Sequence, residues 1–167
     1  MLTPLNRRRF IAQSAASLTA ASLAKRNSIR AANKANNTLR VGVMGLGRGM
    51  AHVNNFLKIS DIEVAYVCDV DDNRTANALA KVTKKQAAPC RGITDLRRML
   101  EDPHLDAIAI AAPNIWHAPA TILGSQAGKH VYVEKPGSHN AAEAELMVAA
   151  ARKQVGGYAM QPARRLH

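Results

Sequence analysis

The 167-residue sequence predicts an α/β fold with a doubly wound parallel sheet. From residue 39 onward, short runs of β-branched and other apolar residues alternate with longer amphipathic stretches. A glycine-rich segment joins the first apolar run to the first helical stretch. Strands separated by helices return to the sheet in parallel through right-handed crossovers. At this length the chain has room for one ordinary domain and a short appendage.

Five strands and five helices follow from this pattern. The strands are predicted at residues 39–44, 62–68, 86–91, 107–111 and 130–133. The fourth is almost wholly apolar, as expected of a strand that is buried on both faces. The helices are predicted at residues 48–58, 72–83, 95–101, 116–127 and 140–153. Gly128 is well placed to end the fourth helix.

The positive charge is concentrated at the start of the chain. Residues 1–37 carry seven of the 23 Lys and Arg residues and none of the 12 Asp and Glu residues. Elsewhere the charges are interspersed, and the few aromatic residues are not arranged among them as a platform for stacking on bases would require. Nucleic acid is therefore not expected as a partner. The two cysteines, Cys68 and Cys90, have no metal-like spacing, so no metal site is predicted.

Residues 1–37 are predicted to be a signal peptide and a linker. Residues 6–11, Asn-Arg-Arg-Arg-Phe-Ile, resemble the twin-arginine export motif. The apolar stretch that follows, about fourteen residues, is shorter than the roughly twenty that a membrane span needs. A basic amphipathic helix on a membrane and a disordered arm are the alternatives. The motif favours export of the folded protein by the twin-arginine machinery, to the periplasm of a bacterium.

A glycine loop separates the first predicted strand from the first predicted helix. Its residues are Gly45, Leu46, Gly47, Arg48, Gly49 and Met50. Such a loop brings backbone amides and a helix N-terminus up to a pyrophosphate, which side chains would obstruct. The dinucleotide fingerprint has its third glycine where Met50 stands, and here that glycine comes one place early. All six residues are predicted to bind a dinucleotide, which makes the predicted fold a Rossmann fold.

Asp69 ends the second predicted strand, 24 residues after Gly45. A carboxylate there accepts hydrogen bonds from the adenosine ribose and repels the phosphate that distinguishes NADP. Arg74 is the counterargument, because a guanidinium binds that phosphate. A helix-capping role is better suited to Asp71 or Asp72. The balance predicts NAD as the cofactor, with NADP as the alternative.

Three motifs resemble those of the glucose-fructose oxidoreductase, inositol dehydrogenase and rhizopine-catabolism (Gfo/Idh/MocA) oxidoreductases. The first is the glycine loop with His52 shortly after it. The second is Ala-Ala-Pro-Asn-Ile-Trp-His at residues 111–117. The third, Gly-Lys-His-Val-Tyr-Val-Glu-Lys-Pro at residues 128–136, is the most specific. The resemblance implies hydride transfer between a nicotinamide and a sugar, cyclitol or related polyol.

The resemblance also implies roles for the residues of the third motif. Lys135 would be catalytic, its ammonium lying near the nicotinamide to polarise a substrate oxygen or shuttle its proton. Glu134, Lys135 and Pro136 would contact the cofactor, and the peptide bond before Pro136 is often cis in this family.

In the second motif, Pro113, Asn114 and His117 are predicted to line the cofactor cleft at the end of a strand. Taken alone, His117 is better explained as a residue that starts a helix, and His52 as a structural residue.

Members of this family continue into a second α/β domain, which supplies the substrate site and the sheet used for oligomerisation. We expect that domain to be missing here, with a cofactor domain at residues 38–153 and an aberrant tail at residues 154–167. The tail is interpreted as the result of a truncation or frameshift, and a homo-oligomer is expected only with the second domain. The alternatives to the cofactor half of an enzyme are a non-catalytic dinucleotide-binding module and a gene remnant.

Overall fold

The computed structural model describes residues 38–158, and side chains as far as Lys153. The predicted signal peptide and residues 159–167 of the predicted tail lie outside the described residues. The strands are β1 (Leu39–Met44), β2 (Ile62–Cys68), β3 (Arg91–Ile93), β4 (Ala107–Ile110) and β5 (His130–Val133). The helices are α1 (Met50–Phe56), α2 (Asp72–Lys85), α3 (Leu96–Leu100), α4 (His117–Gln126) and α5 (Ala141–Tyr158). A 3-10 turn (Asn114–Trp116) precedes α4.

All five strands pair in parallel, in the order β3-β2-β1-β4-β5. The chain therefore builds the sheet outward from β1 in one direction, then crosses back and builds it in the other. A crevice forms where the order reverses, at the carboxyl ends of β1 and β4, and ligands of open α/β sheets bind there. The predicted doubly wound parallel sheet is confirmed.

Two apolar clusters cover the two faces of the sheet. One contains Val53 of α1 and Val82 of α2, packed with Val41 and Val43 of β1. The other contains Met99 of α3 and Ala120 of α4, together with further strand residues. Because α1 and α2 lie on one face and α3 and α4 on the other, the sheet is shielded from water on both sides, as a parallel sheet requires.

The two cysteines belong to different sides of this core. Cys68 is part of the cluster with α3 and α4, whereas Cys90 packs against the cluster with α1 and α2. Both are free thiols. Burial raises the pKa of Cys68 to about 12 and that of Cys90 to about 11, so neither thiol is ionised at neutral pH.

The third strand differs from its prediction. It was expected at residues 86–91 but forms at Arg91–Ile93. The Gln86 side chain takes the place of a strand neighbour: its Oε1 accepts from Val64 N at 2.8 Å, and its Nε2 donates to Val64 O at 3.2 Å. Because the Gln86 side chain already pairs with the N–H and carbonyl of Val64 in β2, the backbone of residues 86–90 does not have to supply these hydrogen bonds.

Several helix ends also differ from their predictions. The first helix begins at Met50 instead of residue 48, because residues 46–49 form the turn of the glycine loop. The fourth begins at His117, after the 3-10 turn. The fifth continues beyond Lys153 to Tyr158, so the boundary expected at residue 153 falls inside a helix. Gly128 does follow the fourth helix, with φ of +80°, which suits a glycine after a helix end.

A polar cluster stabilises the amino-terminal edge of the sheet. Lys129 is 7% exposed, and its ammonium donates to the carbonyl oxygens of Asp102 (2.6 Å) and Leu105 (3.0 Å). The Asp102 carboxylate accepts from the Tyr66 hydroxyl at 3.0 Å and lies 3.5 Å from the Arg40 guanidinium. Lys129 of the third motif thus lies at the opposite edge of the sheet from the crevice and has a structural role.

No helix in the described part of the chain is long and apolar enough to cross a membrane.

A matched pair of valines tests the packing of the sheet. Val67 is fully buried, whereas Val70, three residues later, is 87% exposed. We expect Val67→Ala to lower the free energy of unfolding by about 2–3 kcal/mol, from two lost methyl groups and the cavity they leave. Val70→Ala should change it by less than about 0.5 kcal/mol. Urea denaturation followed by circular dichroism measures both, and equal losses would contradict the described core.

Candidate cofactor site

The glycine loop turns sharply at the end of β1 and approaches the chain that follows β4. Gly45 has φ of +87°, and a Cβ atom there would collide with the backbone of Ala111 and Ala112. Only glycine accepts both constraints. The loop therefore lies directly against the segment that carries the second motif.

Gly49 performs the close-packing role of the fingerprint's third glycine. Its N–H donates to the Gly45 carbonyl at 3.0 Å, and a Cβ atom at Gly49 would collide with that oxygen. Met50 is partly buried and packs against the apolar core at the start of α1. The early glycine is thus explained by the way the loop folds back on itself.

The outer part of the loop is open. Gly47 and Arg48 are exposed, and no described residue accepts a hydrogen bond from either amide N–H. A Cβ atom at Gly47 would meet only the end of the flexible Arg74 side chain, at 3.3 Å from Nη1. Two unpaired amides beside an open surface are suited to the oxygens of a phosphate.

The Asp69 side chain holds the glycine loop and lies beside its open part. Its Oδ2 accepts from Leu46 N at 2.6 Å, and its Oδ1 accepts from Asp71 N at 3.0 Å. Each carboxylate oxygen accepts more than one hydrogen bond, so both retain capacity for a ribose hydroxyl.

Arg74 lies beside this carboxylate. Its Nη1 is 4.0 Å from Asp69 Oδ2 and its Nε is 3.5 Å from Asp71 Oδ2, while its side chain is 56% exposed. Asp71 caps α2 by accepting from Asn73 N and Arg74 N, as expected. The acid that favours NAD and the cation that suits NADP are therefore neighbours.

Two further segments reach the crevice by extending the ladder beyond β4 and β5. Ala111 N donates to Met44 O at 2.8 Å, and Glu134 N donates to Ile110 O at 2.9 Å. Residues 111–114 and 134–136 are thereby aligned with the glycine loop at the carboxyl edge of the sheet. Asn114 Oδ1 is buried and has no hydrogen-bond partner among the described residues, an arrangement that a ligand donor would satisfy.

Glu134 is paired with a histidine from the first turns of α1. Its Oε1 is 2.9 Å from His52 Nε2 and 3.4 Å from the Tyr132 hydroxyl. The Tyr132 ring meets the His52 ring edge to face, with centroids 5.4 Å apart. Burial alone would raise the pKa of Glu134, but bonds from His52, the Lys135 amide and Tyr132 hold it below its usual value. Glu134 is therefore an anion at neutral pH.

Lys135 follows directly and is exposed. The peptide bond between Lys135 and Pro136 is cis, as the resemblance implied. No described residue forms a hydrogen bond or an ion pair with the Lys135 ammonium, which leaves its three donors available to a ligand.

His117 is placed differently from the other predicted site residues. It is 3% exposed, with Nδ1 2.6 Å from the Pro136 carbonyl oxygen and Nε2 2.9 Å from the Ala112 carbonyl oxygen. Both ring nitrogens face backbone carbonyl oxygens, so neither is directed at a cofactor; a neutral imidazole has one N–H and donates to one of the two carbonyls. The buried His117 ring thus lies between the segments at residues 111–114 and 134–136. Pro113, its near neighbour in sequence, is exposed.

Together these features fit a dinucleotide. The open amides of Gly47 and Arg48 match a pyrophosphate, Asp69 matches a ribose, and the unpartnered Asn114 oxygen matches an amide or hydroxyl donor. In the described chain, no three His, Cys, Asp or Glu side chains are grouped closely enough to hold a metal ion.

Comparison with known proteins decides the family. Residues 39–160 match the family described as "Oxidoreductase family, NAD-binding Rossmann fold" (GFO_IDH_MocA). The chain belongs to the Gfo/Idh/MocA oxidoreductases. The resemblance of the three motifs and the predicted Rossmann fold are therefore confirmed.

Relatives of this chain carry two kinds of name. It is 32% identical to a myo-inositol 2-dehydrogenase of Thermotoga maritima over 116 residues, 69% of this chain and 33% of the relative. It is 33% identical to a glycosyl hydrolase family 109 protein of Shewanella pealeana over 104 residues, 59% of this chain and 23% of the relative. The chain thus spans about a third or less of the length of these relatives.

Solved structures of the family superpose on the described fold. A probable dehydrogenase from Thermotoga maritima has a TM-score of 0.65 and 31% identity, covering 70% of this chain and 34% of its own. The WlbA dehydrogenase from Bordetella pertussis, in complex with NADH and UDP-GlcNAcA, has a TM-score of 0.64 and 26% identity. The latter match covers 71% of this chain and 33% of the WlbA chain.

Sequence reasoning undervalued two contacts at this site. His52 was explained as structural, and its pairing with Glu134 was not anticipated. The available signal was the family pattern itself, with a histidine in the helix after the glycine loop and an acid before Lys135. Tyr132 carried no signal beyond its place in a strand.

Gly47 and Gly49 of the loop are expected to differ in how much an added methyl group destabilises the fold. Gly49→Ala drives a methyl group into the Gly45 carbonyl, so we expect it to lower the free energy of unfolding by about 1–3 kcal/mol. Gly47→Ala meets only a flexible guanidinium and should change it by less than about 1 kcal/mol. Urea titration of both variants checks the loop geometry, and a Gly47→Ala loss as large as that of Gly49→Ala would contradict it.

Proposed function

We propose that this chain is the cofactor-binding half of an NAD-dependent oxidoreductase that acts on a sugar, cyclitol or related polyol. The observation that carries the proposal is the convergence of three elements at one edge of the sheet: the open amides of the glycine loop, the Asp69 carboxylate and the exposed Lys135. Because the chain spans about a third of the length of its relatives, the complete reaction and its substrate belong to the proposal.

NAD is preferred over NADP in this proposal. The Asp69 carboxylate is fixed by two backbone amides, one of them from the glycine loop. In this proposal it accepts from the adenosine ribose, so its charge would repel a 2′-phosphate there. Arg74 is the group that would offset this repulsion, and its guanidinium is already near Asp69 and Asp71.

The chain's own residues supply binding and one proton-handling group. A bound nicotinamide supplies hydride transfer. Gly47 and Arg48 donate their amides to the pyrophosphate, and Asp69 accepts from the ribose. The Lys135 ammonium donates a hydrogen bond to the reacting oxygen of the substrate, which polarises a carbonyl or stabilises the oxygen of an alcohol as it loses its proton.

A second candidate is a glycosidase that uses the same cofactor. It is favoured by the relatives named glycosyl hydrolase family 109 protein and by one named alpha-N-acetylgalactosaminidase, from Shewanella oneidensis, at 32% identity. NAD-dependent glycoside hydrolysis occurs in other families. The two candidates share the cofactor site and differ in outcome: a dehydrogenase accumulates NADH with its substrate, whereas a glycosidase releases a sugar without net NADH.

Cofactor binding is the direct test. The full chain should enhance NADH fluorescence, and Gly47→Val should abolish the enhancement, because its branched side chain occupies the space in front of the open amides. The circular dichroism spectrum should not change, since that space is outside the core. A parallel titration with NADPH tests the preference for NAD. Unaltered NADH binding by Gly47→Val, or none by the unchanged chain, would refute the site.

We also propose that residues 6–11 direct export by the twin-arginine route to the periplasm. The support is the run of three arginines before Phe10, with a short apolar stretch and the small residues Ser22 and Ala24 beyond it. A route that carries folded proteins suits a domain that must acquire a cytoplasmic cofactor.

Export depends on the two motif arginines in this proposal. Replacing Arg7 and Arg8 together by Lys should retain the precursor in the cytoplasm of a bacterial host, measured by fractionation and immunoblotting. The matched control replaces Arg26 and Arg30 by Lys, which makes the same chemical change outside the motif and should leave export intact. Periplasmic protein from the Arg7/Arg8 variant would point to another route.

A further inference from the structure

The turn that carries Lys135 is held on both of its sides by a histidine. Before it, the Glu134 carboxylate lies 2.9 Å from His52 Nε2, 82 residues away in the chain. After it, the Pro136 carbonyl oxygen lies 2.6 Å from His117 Nδ1. Lys135 itself has no such bond to a described residue, so its position is set by its two neighbours.

We propose that His52 and His117 are positioning residues that fix Lys135 in the cofactor crevice. The inference rests on the proposed function, because it assumes that Lys135 faces the nicotinamide half of a bound cofactor. Neither histidine touches the cofactor in this proposal. Each acts through the neighbour of Lys135 that it holds.

The two histidines connect the turn to the other two segments of the crevice. His52 lies in the first turn of α1, directly after the glycine loop. His117 begins α4 and also contacts the Ala112 carbonyl oxygen, next to the backbone that Gly45 approaches. The turn at residues 134–136 is therefore tied to the glycine loop on one side and to residues 111–113 on the other.

The hydrogen-bonding atoms differ at the two positions. His52 uses Nε2 toward Glu134, whereas His117 uses Nδ1 toward Pro136. The side-chain nitrogen of Gln reaches approximately the position of Nε2 in His, and that of Asn approximately the position of Nδ1. Carbonyl and carboxylate oxygens only accept, so in this proposal a proton lies on His52 Nε2 and on His117 Nδ1, the His117 nitrogen with the shorter contact. An amide NH₂ replaces either nitrogen as a donor.

This difference gives a crossed set of variants for the full chain. His52→Gln and His117→Asn keep the bond to the turn, while His52→Asn and His117→Gln remove it. Isothermal titration with NADH and with ADP separates the two halves of the cofactor, because ADP lacks the nicotinamide. We expect the bond-removing variants to weaken NADH binding roughly tenfold and the bond-keeping variants by less than about threefold. ADP affinity should change by less than about twofold in all four, since the glycine loop and Asp69 are not altered.

A second measurement follows Lys135 directly. Lysine acetylation by a trace of acetic anhydride, quantified by mass spectrometry, reports the reactivity of each lysine in one sample. NADH should protect Lys135 in the unchanged chain and in the bond-keeping variants, and should protect it several-fold less in the other two. Lys58, which is exposed after α1, is the internal reference and should not respond.

The outcomes separate this proposal from the proposed function. An unchanged chain that binds neither NADH nor ADP overturns the proposed function and this inference with it. Normal NADH binding and Lys135 protection in all four variants overturns the positioning role alone. Parallel losses of NADH and ADP affinity, without the crossed pattern, overturn it as well, since they would mean that the histidines support only the fold.

Discussion

The close approach of Gly45 to the backbone of Ala111 and Ala112 is the constraint on which the crevice depends. β1 and β4 end at the same edge of the sheet, and the loops after them lead to helices on opposite faces. Because Gly45 has a positive φ and no Cβ atom, the glycine loop lies directly against the segment after β4. The space that a dinucleotide would occupy is therefore bordered by backbone on both sides.

Backbone also supplies the polar groups that would meet a pyrophosphate. The loop is fixed because Asp69 accepts from Leu46 N and Gly49 N donates to Gly45 O, which leaves the amides between them unpaired. The Asp69 side chain holds the loop in place, and the unpaired main-chain donors remain open to a ligand. This division suits a pyrophosphate, whose oxygens need donors that do not move when it binds. It also explains why Asp69 is the least exposed acid at the crevice, at 8% of its side chain.

The sequence predicted best those parts of the fold that depend on apolar burial. The bounds of β1, β2 and β5 agree with the prediction because each is an apolar run bordered by polar or glycine residues. The third strand was misplaced because a side chain, that of Gln86, pairs with the backbone of Val64 in place of a strand. Secondary-structure propensity does not reveal that a side chain pairs with a strand in this way. A register shift after Val41 likewise puts both Ala65 and Tyr66 in one cluster, although simple alternation would separate them.

Contacts to carbonyl oxygens explain why the site was only partly predictable. A motif indicates which residues matter, and the family resemblance directed attention to His117 and Lys135. Every residue has a carbonyl group, however, so no residue type marks Pro136 and Ala112 as the partners of His117. The same holds for Lys129, which shares the third motif with Lys135, although its carbonyl partners hold it at the opposite edge of the sheet. Whether a polar side chain in a motif binds a ligand or supports the fold is therefore decided only when its backbone partners are known. Here those partners distinguish Lys135, whose ammonium is open to a ligand, from His117, whose ring nitrogens face backbone carbonyl oxygens.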